Sequence, residues 1–129
     1  MPLELIIARW TALMWVIFGL SHLLHARLWV ALLYPFKEKP EGGFVLALLG
    51  LPFGLIMILG HNIWVWDIPV IVTIAGWVTT LKSVIYLLFP TTHRRVMSAN
   101  ARPEIGFQIV GVVFILLGLV VGYDVFLRR

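Results

Sequence analysis

The chain has 129 residues, 61% of them hydrophobic and 12% charged, with a mean hydropathy of +1.01. Soluble domains carry about 45–50% apolar residues, so a water-soluble fold is excluded; it would present unbroken Leu, Ile and Val surfaces to water and aggregate. The absence of cysteine excludes disulfides, thiolate metal sites and cysteine nucleophiles, and the formal charge of +4 lies mostly in connections and at chain ends, with no basic face of interleaved aromatics, so nucleic acid is excluded as a partner.

Four apolar blocks, about residues 8–26, 43–60, 66–89 and 105–126, each come near the ~20 residues that cross a bilayer as helix. They predict an all-α fold, a four-transmembrane-helix bundle, with residues 1–129 forming a single integral membrane domain. Glu4 precedes the first block where a secretory signal would be basic, and no small-x-small cleavage pattern follows, so this block reads as an uncleaved membrane helix. Beyond Arg27 the stretch from Leu28 to Tyr34 is still apolar. It either prolongs the first helix or lies in the membrane interface, a depth that suits Trp29 and Tyr34. Pro35, Pro40 and Gly42-Gly43 then break the chain. The second block holds Gly50 and Gly54 in the small-xxx-small spacing that lets backbones approach, with Pro52 between them expected to bend the helix.

The tight turn His61-Asn62-Ile63-Trp64-Val65-Trp66-Asp67 joins the second and third blocks. His61 and Asn62 are placed to cap the last carbonyls of the second helix, and Trp64 and Trp66 to anchor the interface. Asp67, ahead of Ile68-Pro69, is placed to start the third helix. The same turn is a candidate docking surface for a partner. In the fourth block Gly118 and Gly122 repeat the small-xxx-small spacing, serving packing within the bundle or a dimer interface.

Lys82 is the polar residue least expected in a span. Thr79 and Tyr86 share its face at i−3 and i+4, and Ser83 sits beside it. A charge at the bilayer centre costs roughly 3 kcal/mol on insertion scales, so such a residue is a functional candidate by default. It also precedes Pro90 by eight residues, about 12 Å of helix, so its stem has a route to the headgroups. At the same depth stand Ser21, His22 and His25 at the end of the first helix, and Glu104 and Gln108 at the start of the fourth. Lys82 with Glu104 is the expected ion pair, and His22 or Gln108 the completion of the network. Such a cluster either locks the helices together or relays protons or holds an anionic headgroup or a quinone ring. Metal and haem are not expected, because His22 and His25 lie at the opposite membrane face from His61.

Lys and Arg number three in each of the connections 27–42 and 90–103, whereas the other side holds Arg9, Arg128 and Arg129. The excess places both connections in the cytoplasm. An offset of 62 residues aligns Thr11 with Thr73, Trp15 with Trp77 and Ser21 with Ser83, and an offset of 61 aligns Gly50 with Gly111. Two repeated helical hairpins related by an axis along the membrane normal would produce this pattern.

The run His61-Asn62-Ile63-Trp64, followed by Gly76-Trp77, Lys82-Ser83 and Tyr86-Leu87-Leu88-Phe89-Pro90, resembles a family of small bacterial four-helix membrane proteins without assigned function. These share an H-N-x-W hairpin and a G-W-x4-K-[GS]-x2-Y-L-L-F-P helix. The resemblance covers about residues 48 to 90 and implies a bacterial inner-membrane protein, with Lys82 and the His61 turn as parts of the family pattern. It supplies no activity. The chain has no Gly-rich phosphate loop, no glycine-flanked nucleophilic serine and no His-Glu-x-x-His pair, so no enzyme and no cofactor are expected. The leading expectation is an accessory or scaffolding subunit, surrounded by membrane lipid and packed against a larger membrane complex or as a homo-oligomer. The alternatives are a small oligomeric transporter or channel using Lys82, His22 and Glu104, and a lipid- or quinone-binding protein.

Overall fold

A computed structural model describes residues 1–98 and 102–129; positions 99–101, in the middle of the connection 90–103, lie outside it. The described residues are helical, with no strand. Four helices are long and apolar enough to cross a membrane: α1 (Leu3–Leu24), α3 (Gly42–Gly60), α4 (Pro69–Leu88) and α6 (Pro103–Gly122), the last extended by a π-helical turn, Tyr123–Arg128. Short helices α2 (Ala26–Leu33) and α5 (Thr92–Ser98) occupy the longer connections. Both chain termini and the α3–α4 turn share one end of the molecule, here the terminal end; the other is the loop end.

The spans match the apolar blocks with small shifts. The first begins earlier than expected, at Leu3, and stops at Leu24. The stretch beyond Arg27 does not prolong α1. The chain turns at His25 (φ −127°, ψ 39°) and starts a separate helix, α2. Trp29 of α2 folds back on α1: its indole donates to Ser21 Oγ at 2.9 Å and stacks on His22 at 4.3 Å between ring centroids. In α3 the helix runs through Pro52 without interruption.

Packing is built from two pairs, α1 with α6 and α3 with α4, and the pairs touch each other sparingly. Glycine decides both contacts, because without a hydrophobic force between helices in lipid, dispersion at close approach carries association. A Cβ on Gly111 of α6 would stand 2.7 Å from Gly19 O and 2.9 Å from Leu23 N of α1. One on Gly118 would stand 2.9 Å from Ala12 O, and one on Gly54 of α3 2.8 Å from Thr80 N of α4. Gly50 faces the Ser83 hydroxyl, whereas a Cβ on Gly122 would meet only Ala12 Cβ at 3.9 Å. Gly50, Gly54 and Gly118 are therefore used inside the chain, and Gly122 lies at the edge of the same contact. Gly111 also lies against His22 Cβ, and Gly50 against Ser83 Oγ.

The two pairs join in the terminal half, around Ile7, Ala8 and Ala12 of α1, Met57 of α3, Val72 of α4 and Val121 of α6. Trp10 stacks on Phe53 across this seam, with centroids 5.7 Å apart. At the loop end the connections are tied by His93 of α5, which is fully buried. Its Nδ1 lies 2.6 Å from Pro90 O and its Nε2 2.8 Å from Phe36 O, so the ring clasps the two connections together.

Candidate functional site

The polar groups expected to converge at the loop end do not. Lys82 stands on the outer face of α4, while Thr80, Ser83 and Tyr86 turn inward. Its ammonium lies 5.7 Å from the centroid of the Tyr86 ring, one turn further along α4. The expected Lys82–Glu104 pair is absent among the described residues; Glu104 instead lies 3.7 Å from Arg27, both well exposed. Gln108 and His25 are exposed as well. His22 is buried, but it donates from Nδ1 to Phe18 O at 2.6 Å and its ring is enclosed by Trp29, Phe107 and Phe114. Ser21 is taken up by Trp29, and Ser83 donates to Thr79 O at 2.8 Å. The physical reason is azimuth: residues at one depth on different helices meet only when their faces do, and α4 turns its small polar face, not Lys82, to α3.

The terminal end is where polar side chains gather. His61 is 2% exposed and Thr73 fully buried. The Thr73 hydroxyl accepts from Ile63 N–H at 3.0 Å and donates to Ile63 O at 2.8 Å. The one hydroxyl proton finds its shortest acceptor in Ile63 O, against 3.3 Å to His61 O; with that bond made, the contact to His61 Nδ1 at 3.1 Å is one in which the imidazole donates, and Nε2 keeps its lone pair. The sequence placed His61 and Asn62 as caps of α3; His61 is the C-cap, through its backbone, whereas Asn62 is used elsewhere. The His61 backbone N–H closes on Met57 O, but its ring crosses to α4, because a buried imidazole needs a partner that solvent does not supply. Asn62 Oδ1 accepts from the indoles of Trp64 and Trp77, at 2.9 and 3.2 Å. Trp66 is fully exposed, as an interfacial anchor would be.

Asp67 does not cap α4: the N-cap is Ile68, with Pro69 at the first turn, and the Asp67 Oδ1 instead accepts the Ile68 N–H at 2.8 Å, one residue outside the helix. Its other oxygen is bound by Arg128, and by Arg129 at 3.3 Å. These arginines also hold Asp124, whose side chain is completely buried: Arg129 Nε donates to Oδ2 at 2.9 Å, and Arg128 Nη2 lies 2.8 Å from Oδ1 as an ionic contact without hydrogen-bond alignment. The π turn makes this possible, since its i→i+5 spacing brings Arg129 over Asp124. Arg9 adds a bond from Nε to Val125 O at 3.0 Å. The knot crosses the seam, fastening the end of α6 to the α3–α4 turn. Sequence reading named His61 and Asp67 but missed Thr73 as the partner of the first and Arg128 and Arg129 as the partners of the second; the terminal Arg-Arg pair, four and five residues after Asp124, was the available signal for the arginines.

Electrostatics follow the geometry. Burial pushes His61 below its ordinary 6.5, against upward pulls from its own backbone and from Glu4. The Ile68 N–H, then Arg128, hold the Asp67 carboxyl below 3.8. Between the lowered His61 value and 6.5 the unfolded chain binds a proton that the folded chain does not, so stability rises with pH across that window and is lost as pH falls through it. The thermal midpoint in micelles is therefore expected to fall by a few degrees on acidification from about pH 7.5 to about pH 5.5, and His61→Gln to flatten that response. An unchanged slope in the variant would remove His61 as its source.

The fold and its apolar spans define a multi-pass helical membrane protein. Compared with protein-family models, with curated proteins and with solved structures, the chain finds no match.

Proposed function

We propose that this protein is a non-enzymatic accessory or scaffolding subunit of a bacterial inner-membrane complex. It packs against a larger membrane partner or against copies of itself, with connections 27–42 and 90–103 in the cytoplasm. The observation that carries the reading is the position of Lys82, exposed on the outer face of α4 within a helix long and apolar enough to span the membrane. A lone chain leaves that ammonium to reach for headgroups past a turn of apolar surface; a neighbouring membrane helix with an acceptor satisfies it directly. Two further features support the same reading. Only 17% to 33% of the residues in each span's most apolar stretch are buried within the chain, which leaves most of the helical surface for lipid or protein. The glycine contacts close both helix pairs, so Lys82, His22 and Glu104 do not line a common path through one copy.

Gentle extraction from the native membrane, followed by identification of what accompanies the chain, tests this. A stoichiometric partner or a discrete oligomer is expected. Lys82→Met is expected to weaken that association roughly fivefold to thirtyfold, the equivalent of about 1–2 kcal/mol for an interhelical polar contact, with the monomer's thermal midpoint unchanged. Vesicle flux that disappears in Lys82→Met while assembly persists would replace this reading with the transporter.

A further inference from the structure

Where the two helix pairs meet at the terminal end, the seam opens into a cleft of about 400 Å³. Small-molecule sites span about 300–1,000 Å³. Its walls are apolar, from Leu5 and Ala8 of α1, Ile63 and Val65 of the turn, and Val121 and Val125 of α6. Glu4, His61, Asp67, Asp124 and Arg129 supply the polar groups. Most of these are already occupied with one another: Arg129 binds both Asp67 and Asp124, and Arg128 approaches the same two carboxylates. Asp124 Oδ1 has its ionic contact to Arg128 but no hydrogen bond, and two further acceptors remain. His61, almost completely buried, spends its Nδ1 proton on Thr73 and keeps an Nε2 lone pair, and it lines the cleft. Glu4 is exposed at the cleft's edge and forms no ion pair with a described residue.

An apolar slot at a membrane–water boundary with acceptors at its mouth selects an amphiphile with a donating head. The charge of that head follows from the lining: Arg128 and Arg129 compensate Asp67 and Asp124, which leaves the Glu4 carboxylate to repel an anion. An uncharged hydroxyl would satisfy His61 but leave Glu4 without a partner.

We propose that this cleft binds an amphipathic primary amine, its ammonium donating to the Glu4 carboxylate and to His61 Nε2, and its hydrocarbon lying along Ile63, Val121 and Val125. The site is separate from the Lys82 face, and its occupancy does not depend on assembly there.

The experiment is a calorimetric titration of the full chain in lipid nanodiscs with n-octylammonium, n-octanol and n-octanoate, with empty nanodiscs as the blank. Octylammonium is expected to show one saturable site above the blank, octanol a weaker one and octanoate none. Glu4→Gln should weaken the amine by about fivefold to tenfold and leave octanol unchanged, as loss of a charge-assisted bond at a partly wet site predicts. Val65→Trp, which fills the cleft from an exposed position, should abolish the site. Both variants change exposed residues and leave the buried core intact. The proposal is overturned if octanoate binds as tightly as the amine, if Glu4→Gln leaves the amine's affinity unchanged, or if the amine's heats match those of empty nanodiscs or persist in Val65→Trp.

Discussion

Gly111→Ala is expected to force α1 and α6 apart and to destabilise the protein by about 1–3 kcal/mol, the range for overpacking a close contact. The added methyl would stand 2.7 Å from Gly19 O and 2.9 Å from Leu23 N, both backbone atoms that no rotamer change removes. Relief requires translating one helix, and that also separates Gly118 from Ala12 O on the same face. Gly19→Ala, the mirror of this change, meets Gly111 O at 2.7 Å and should behave alike. Gly122→Ala is the matched control. Its methyl finds ordinary contact at 3.9 Å, and alanine's better helix propensity makes the change neutral or stabilising by about 0.5–1 kcal/mol. Thermal midpoints in micelles, together with a spin-label distance between α1 and α6, separate these outcomes. Equal midpoints for Gly111→Ala and Gly122→Ala would show that the α1–α6 contact yields without cost.

What the sequence announced and what it concealed differ by dimension. Depth was legible: hydropathy located four spans to within a few residues, and the glycines at 50, 54 and 118 were marked for close packing by their spacing. Azimuth was not. Adjacent residues on a helix differ by about 100°, so Ser83 faces α3 while Lys82 beside it faces outward. A reading by depth alone grouped Lys82 with Glu104, Gln108 and His25. The choice of helix partners was equally hidden, because α1 and α6 lie at opposite ends of the chain and Gly19 stands alone in its helix without a spaced companion. The helix break at His25 had no proline or glycine to signal it; Trp29 creates it by folding back onto Ser21 and His22. At the terminal end, Asp67 and His61 were visible as turn residues, but His61 ties the turn to α4 through Thr73 and Asp67 ties it across the seam through the π turn, which are tertiary facts.

Arg128→Met combined with Arg129→Met is expected to cost more than Asp124→Asn, although both remove the same contacts to Asp124. Exposure makes the difference: the Asp124 side chain is 0% exposed, whereas those of Arg128 and Arg129 are 39% and 43% exposed. Guanidinium groups that lose Asp124 still bind Asp67 and reach water. A carboxylate that loses both arginines is left uncompensated where it lies. Broken buried pairs cost about 3–5 kcal/mol, and the fully buried Asp124 carboxylate falls within that range. Asp124→Asn keeps the shape and removes the charge, for about 1 kcal/mol. Adding Asp124→Asn to the double arginine variant should therefore restore part of its thermal midpoint, a coupling that a double-mutant cycle reads directly. Strictly additive losses would mean that the carboxylate reaches solvent unaided. Because Asp67 joins this knot from the α3–α4 turn, the same arginine variants also release the end of α6 from the opposite helix pair. They should widen the cleft at its mouth, so a label pair at Val65 and Phe126, both exposed, should report an increased distance in the double arginine variant and not in Asp124→Asn, where Arg128 and Arg129 still hold Asp67.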